Sequence, residues 1–261
     1  MTISAPRWDL TNVYPALDSK QFKNAVKKYK SSLDDLEVFF KRAVKADSKT
    51  DPKKLGKLLG ESVDRFNALF ELAGTISPYI YSFVSTNSRD KEAMRALSEF
   101  EQMSVQANIL NTKFQAWVGK LGKPAVKKAA KTSASAKSHE FALLENAEQT
   151  KYLMSEAEEA LAAELSLSGG NAFGKLQGTV TSQLSVDFEL DGKVEKMPMP
   201  ALINLRSHPD EATRRRGYEA ENKAWEMVKE TLAACLNGVK GEANTLNKKR
   251  GSRDAIHSSL E

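Results

Sequence analysis

Apolar side chains recur every three or four residues along most of this chain, a spacing that places them on one face of an α-helix. The clearest stretch follows Asp18, whose side chain is a suitable N-cap. Its apolar positions are Phe22, Val26, Tyr29, Leu33, Leu36 and Phe40. The pattern predicts a long amphipathic helix that begins after residue 18.

Asp51-Pro52 marks the start of a second predicted helix, because an acceptor at the cap and a proline at the first helical position both favour initiation. Its apolar stripe runs to about Gly74, where we expect the helix to end. Pro78 then interrupts the apolar stretch 76–84, which predicts a kinked helix rather than a straight one.

Asn87-Ser88 is a candidate cap for a third long helix, which runs from about residue 90 towards Trp117. Glycines and a proline at positions 119, 122 and 124 then break the pattern. Residues 127–138 are rich in Ala, Lys and Ser, and they fit either a solvent-facing helix or a mobile connector. The capping box Ser155–Glu158 opens another predicted helix, and Gly169-Gly170 closes it.

The period changes from helical to alternating at about 183–197. Asp191-Gly192 in the middle of this stretch is a strong two-residue hairpin turn, so we expect two antiparallel strands there. Ser207-His208-Pro209-Asp210 then begins a predicted helix from about 209 to 248. The fold class predicted from the pattern is mostly α, with one small β-hairpin.

The composition is that of an ordinary globular protein, with 41% hydrophobic and 28% charged residues. No apolar run approaches the roughly 20 residues that a membrane-spanning helix needs. The first nine residues show no basic segment followed by an apolar one, so we expect no secretory signal. Cys235 is the single cysteine and cannot form an internal disulfide, which favours a reducing, cytoplasmic location.

The formal charge of +5 raises the question of nucleic-acid binding. Basic residues are spread along predicted helical faces. Two denser clusters occur, a lysine-rich one at 120–137 and the arginines Arg214-Arg215-Arg216. Neither cluster carries an RNA-binding or helix-turn-helix signature. We therefore expect solvated helical faces and no nucleic-acid partner.

A catalytic site is not evident in the sequence. His139-Glu140 begins the zinc-binding pattern His-Glu-x-x-His, but Leu143 occupies the position of the second histidine. Cys235 lies on an apolar helical face, which favours a core thiol over a nucleophile. Glycine-rich residues 169–174 follow a helix rather than a strand, so they do not fit a dinucleotide-binding fingerprint. We expect no catalytic and no metal-binding residues in this chain.

The chain carries Trp8-Asp9-Leu10-Thr11-Asn12-Val13-Tyr14-Pro15 near its start and a glycine-containing stretch at 164–176. The first resembles the opening motif of the oligoendopeptidase F family of zinc metallopeptidases. The second resembles the central signature of that family, with Phe173 in place of the usual tryptophan. Thr181–Leu184, the hairpin and Pro200-Ala201-Leu202 follow as in the family. Residues 214–220 and 236–242 are similar to the long helix that opens the catalytic region.

The resemblance implies the N-terminal part of a cytoplasmic zinc endopeptidase that cuts short peptides. It divides the chain into an N-terminal helical region (1–118), a family-type region with the hairpin (119–200) and a truncated start of the catalytic region (201–261). It also implies that zinc belongs to the full-length enzyme and that the missing C-terminal catalytic region is a partner.

The predicted helix from about 209 to 248 carries an apolar stripe formed by Trp225, Val228, Leu232, Cys235, Val239 and Leu246. Because the region that would surround this stripe is only partly present, we expect the stripe to be exposed and the isolated chain to self-associate. The alternative is that the N-terminal helices fold back and cover the stripe.

The site residues implied by the resemblance are Gly169, Gly170, Asn171 and Phe173, which would shape the substrate cleft; packing alone would also explain them. A non-catalytic helical scaffold that binds peptides or proteins is the alternative function.

Overall fold

The computed structural model describes residues 8–254 and 256–257. The sequence-based argument about a signal peptide rests largely on residues 1–7, which lie outside the described residues. The α-helices within the described residues are α1 Lys20–Ala43, α2 Pro52–Thr86, α3 Lys91–Leu121, α4 Lys123–Ala130, α5 Ala134–Ser138, α6 Glu140–Gln149, α7 Glu156–Ser166, α8 Gly170–Gln183, α9 Met199–Asn204 and α10 Glu211–Lys249. Strands β1 Ser185–Leu190 and β2 Lys193–Pro198 form a two-stranded antiparallel sheet. The predicted class, mostly helical with one hairpin, is confirmed.

The chain divides into two compact units. The first contains residues 1–164 and 248–261, and the second contains residues 165–247. The three-part division made from the family resemblance follows sequence regions rather than compactness, and it stays a prediction. In the described residues, no helix has the length and apolar character needed to cross a bilayer.

Aromatic side chains fill the core of the first unit. Phe40 of α1 packs against Phe66 of α2 and against Phe114 and Trp117 of α3, with ring centroids 5.7, 6.0 and 6.5 Å away. The Trp117 indole Nε1–H also donates to the carbonyl oxygen of Ala46 at 2.8 Å, which satisfies the polar edge of a buried ring. The three long predicted helices therefore meet around one apolar cluster.

The opening motif lies against the second half of α2. The Tyr79 hydroxyl donates to the Tyr14 carbonyl at 2.8 Å, and the two rings meet edge to face with centroids 5.0 Å apart. Asp9 accepts the backbone N–H of Thr11 at 2.9 Å, and this local turn presents Leu10 to the core. The segment and α2 line a groove of about 1100 Å³.

Two predicted helix starts are shifted in the structure. Ser19, rather than Asp18, caps α1 by accepting the Phe22 N–H. Asp90, rather than Asn87-Ser88, caps α3, because its carboxylate accepts the N–H groups two and three residues ahead.

The predicted end of α2 near Gly74 is wrong. The helix continues to Thr86 and contains Pro78, whose ring removes one backbone hydrogen bond. Ile76, Tyr79 and Ile80 are buried beyond Gly74, and their burial offsets the weak helix propensity of the glycine. The kink expected at Pro78 stays a prediction.

Residues 127–138 form two helical segments joined by a short turn at 131–133, rather than one continuous helix or a connector. They form the end of α4 and the whole of α5, with Ala129, Ala130 and Ala136 buried. A Cβ placed on Gly56 of α2 would lie 2.1 Å from Thr132 Oγ1 and 2.3 Å from the Ala129 carbonyl oxygen. Glycine is therefore required in α2 for this close approach.

The hairpin lies in the second unit and has the predicted turn. Asp191 and Gly192 have φ angles of 53° and 74°, as a type I′ turn requires. Its inward-facing Phe188 joins a cluster with Met199, Leu202 and Ala224. This cluster gives the two strands the packing partner that an isolated hairpin lacks.

We expect Gly56→Ala to destabilise the protein by about 1–3 kcal/mol, because the new methyl group meets a backbone carbonyl that cannot move freely. Gly74→Ala is the matched control in the same helix, since no atom lies within 4 Å of the Cβ it would add. That change should stabilise the protein by about 0.5–1 kcal/mol. Chemical denaturation of both variants measures the difference, and equal effects would contradict the close approach.

Candidate functional site

The candidate site is the junction between α7 and α8, where the family-like signature lies. Helix α7 ends at Ser166, and Gly170 is the first residue of α8. The glycine pair was expected to close the preceding helix. That prediction is wrong in detail, because a three-residue turn follows α7 and Gly169 is the N-cap of α8.

Glu242 of α10 supplies the cap that Gly169 lacks. Its carboxylate accepts the backbone N–H of Gly170 and, at 2.5 Å, the hydroxyl of Ser166. Glycine has no side-chain acceptor, so the first N–H groups of α8 need a partner from elsewhere. A negative charge is also favourable at the positive end of a helix. The carboxylate thus ties the end of α7 and the start of α8 to α10.

Glycines allow this contact on both helices. A Cβ on Gly169 would lie 2.2 Å from Glu242 Oε2, and a Cβ on Gly238 would lie 2.3 Å from Cδ2 of Phe173. Gly169 and Phe173 are four residues apart at the start of α8, as are Gly238 and Glu242 on α10, so each pair shares one face. Because Gly169 meets Glu242 and Phe173 meets Gly238, the two segments run antiparallel. We call these four residues, together with Gly170, the glycine junction.

The structure therefore brings together three of the four residues expected to shape a cleft. Gly169, Gly170 and Phe173 belong to the glycine junction, whereas Asn171 is exposed. The contacts explain the glycines by packing, and a role in shaping a substrate cleft stays a prediction. Sequence reasoning missed Gly238 and Glu242 as site residues. Their four-residue spacing, which matches that of Gly169 and Phe173, is the signal that could have found them.

A buried carboxylate supports the start of α10. Glu221 is only 3% exposed and accepts hydrogen bonds from Arg206 Nε at 3.0 Å and from Trp225 Nε1 at 3.2 Å. The hydrogen bonds from Arg206 lower the pKa of Glu221 below its ordinary value, although burial opposes them. This ion pair fixes the segment after α9 against α10.

The three arginines near this helix start also have structural contacts. The Arg214 guanidinium donates to the carbonyl oxygens of His208 and Pro209 at 2.7 and 2.9 Å. Arg216 lies over the Phe188 ring at 5.9 Å. Arg215 pairs with Glu219 at 3.4 Å.

The described residues around His139 do not fit a zinc site. His139 is used locally, with Nδ1 2.9 Å from the Ser135 carbonyl oxygen and Nε2 3.2 Å from the Asn67 amide. Leu143 is 1% exposed and belongs to the core, so the place of a second histidine is taken by a packing residue. Within the described residues, no group of three or more His, Cys, Asp or Glu side chains is arranged to hold a metal ion. Cys235 is buried.

Comparison with known proteins connects the glycine junction to a family. Residues 118–185 match the family model described as Oligopeptidase F, and this segment contains Gly169, Gly170 and Phe173. The resemblance to the oligopeptidase F family is thereby confirmed. No curated protein sequence matches the chain significantly.

The fold of this chain is similar to that of oligoendopeptidase F. The crystal structure of oligoendopeptidase-F from Enterococcus faecium superposes with a TM-score of 0.73 over 90% of this chain, at 12% sequence identity. The chain spans 46% of the length of that protein. At 12% sequence identity, this similarity supports a shared fold and nothing more specific.

We expect Gly238→Ala to destabilise the protein by about 1–3 kcal/mol, because the methyl group would occupy the space of the Phe173 ring. Gly241→Ala, three residues further along α10, is the matched control, because no atom lies within 4 Å of its added Cβ. Combining Gly238→Ala with Phe173→Ala should cost less than the sum of the single changes. Strict additivity in denaturation experiments would show that the ring and the glycine do not meet.

The Glu221–Arg206 pair predicts a pH-dependent contribution to stability. Because the folded-state pKa of Glu221 lies below 4.5, its contribution is complete above that pH and disappears as the pH falls through the folded-state value. Glu221→Gln should therefore cost about 1–3 kcal/mol at neutral pH and progressively less in acid. Glu219→Gln, at an exposed ion pair, should change stability by less than about 0.5 kcal/mol throughout. Urea denaturation at neutral and acidic pH measures both, and a constant cost for Glu221→Gln would contradict the assignment.

Proposed function

We propose that this chain is the N-terminal, cleft-wall part of a cytoplasmic zinc-dependent oligoendopeptidase that hydrolyses short peptides. The match of residues 118–185 to Oligopeptidase F is the observation that carries the proposal. The fold likeness over 90% of the chain supports it. In this role the helices contribute a wall for flexible peptides, and a separate catalytic region contributes zinc and the reacting groups.

The glycine junction gives the wall a defined local structure. Glu242 and Gly238 hold the start of α8 against α10 without intervening Cβ atoms. Residues that position a cleft need such rigid support, because a small displacement weakens peptide positioning. Within the proposal, Gly169, Gly170 and Phe173 set the position of α8, and Asn171 is the exposed residue available to a peptide.

Exposed apolar side chains on α10 support the missing catalytic region as a partner. Met227 and Leu236 are 68% and 57% exposed, and Tyr218 is also exposed. Other positions of the stripe are covered, since Trp225 and Val228 pack on the cluster around Phe188 and Cys235 is buried. The expected exposure of the stripe therefore concerns only part of its residues.

A peptide- or protein-binding scaffold is the second candidate. The groove of about 1100 Å³ between the opening motif and α2 favours it, because a cavity of this size can hold a ligand without catalytic chemistry. The reading frame that follows codon 261 distinguishes the two candidates. Further codons for His-Glu-x-x-His support the peptidase, and a stop codon supports the scaffold.

We expect the isolated chain to leave short quenched fluorescent peptides uncleaved, with and without added zinc, because its sequence contains no pair of histidines at the spacing of a zinc-binding helix. A complete oligoendopeptidase F serves as the positive control. Cleavage by this chain that a chelator abolishes would contradict the assignment of a non-catalytic wall.

We also expect the isolated chain to self-associate and to bind a hydrophobic dye, because apolar side chains on α10 are exposed. Leu236→Gln combined with Met227→Gln should reduce both signals, whereas Lys229→Gln on the same helix should not. Light scattering over a concentration series measures association. A monomer that binds no dye at high concentration would contradict the partner proposal.

A further inference from the structure

Two groups of lysines, far apart in sequence, lie on helices that pack together in the first unit. Lys53, Lys54 and Lys57 lie at the start of α2, and Lys127, Lys128 and Lys131 lie at the end of α4. The close approach of Gly56 to Ala129 joins these two elements, and every one of the six lysines is within three residues of one of those contact points. All six side chains are exposed. We call them the lysine surface.

Within the described residues the lysine surface forms no ion pair, and its nearest acidic residue in the sequence, Asp51, accepts the backbone N–H groups of Lys53 and Lys54. No acidic residue occurs within three positions of Gly56 or Ala129. Lysines elsewhere in the unit do pair, as Lys123 does with Glu148 and Lys113 with Glu156. Among the residues that the structure describes, no ion pair includes a lysine of this surface. The surface therefore concentrates positive charge that the fold itself does not use.

The backbone beneath these lysines is firmly held. The Thr132 hydroxyl donates to the Pro52 carbonyl at 3.0 Å, and the Ser135 hydroxyl donates to Asp64 at 3.0 Å. A Cβ on Gly60 would lie 2.3 Å from Ser133 Oγ, so the two elements stay in close contact beyond Gly56. Like charges on a fixed frame repel one another, and they also form a preorganised field for a negatively charged partner.

We propose that the lysine surface docks an acidic segment of a polypeptide. Lysine ammonium groups act as separate point charges, which suit carboxylates on a flexible chain. Bidentate binding of phosphates instead favours the planar guanidinium group of arginine. No large apolar side chain of residues 52–57 or 123–138 is exposed, so the surface offers nothing on which bases could stack or that could enter a lipid layer. This interaction surface goes beyond the proposed function, which uses neither group of lysines.

The test compares two variants of equal charge. The first is Lys127→Gln with Lys128→Gln and Lys131→Gln, which removes half of the lysine surface. The control is Lys23→Gln with Lys27→Gln and Lys30→Gln, which removes three exposed lysines from α1. Binding of a fluorescent decaglutamate peptide is measured by anisotropy at low and at physiological salt, and circular dichroism checks that both variants fold.

We expect the first variant to lose affinity for decaglutamate by roughly tenfold, the sum of three weak surface ion pairs, and the control to change by less than about twofold. Binding by the intact protein should weaken as salt rises. Equal losses in the two variants would reduce the effect to net charge and overturn the proposal. Absence of binding at low salt would overturn it too, as would tighter binding to a short RNA duplex or to phosphatidylserine vesicles than to decaglutamate.

Discussion

Close approach of helix backbones at glycine is the constraint on which this structure depends. In the first unit, Gly56 and Gly60 admit the segment that joins α4 and α5 against α2. In the second unit, Gly169 and Gly238 admit a carboxylate and an aromatic ring between α8 and α10. A side chain at Gly56 would meet a backbone carbonyl, and one at Gly238 would meet the Phe173 ring, so either would push the packed elements apart. The Thr132–Pro52 hydrogen bond lies beside the contact at Gly56, and the Ser166–Glu242 hydrogen bond lies beside the contact at Gly169.

The sequence was sufficient to predict elements whose start or turn depends on a few neighbouring residues. Asp51-Pro52, the Ser155–Glu158 capping box and the Asp191-Gly192 turn each carry their structural reason within a few residues, and the structure confirms all three. The end of α2 could not be predicted, because Ile76, Tyr79 and Ile80 are buried by neighbours that the local sequence does not reveal. Residues 127–138 were ambiguous for the same reason, since small alanines form a buried face only where another helix offers a glycine.

The candidate site was only half predictable. Its glycines and Phe173 were visible through family resemblance, whereas Glu242 is more than seventy residues away in the sequence and its side chain caps a helix to which it does not belong. A long-range cap leaves no motif near the helix that it stabilises. The hydrogen bonds of Glu242 with Gly170 and Ser166 position two helices against a third. The Oligopeptidase F match at residues 118–185 is compatible with the proposed role as a supporting wall.

We propose that this chain supplies scaffold and no metal chemistry of its own. Zinc content of the purified chain, measured by inductively coupled plasma mass spectrometry after dialysis against a weak chelator, tests it most directly. The account predicts far less than one zinc ion per chain, because His139 is engaged with Ser135 and Asn67 and the position of its helical partner is the buried Leu143. One tightly held zinc ion per chain would contradict it.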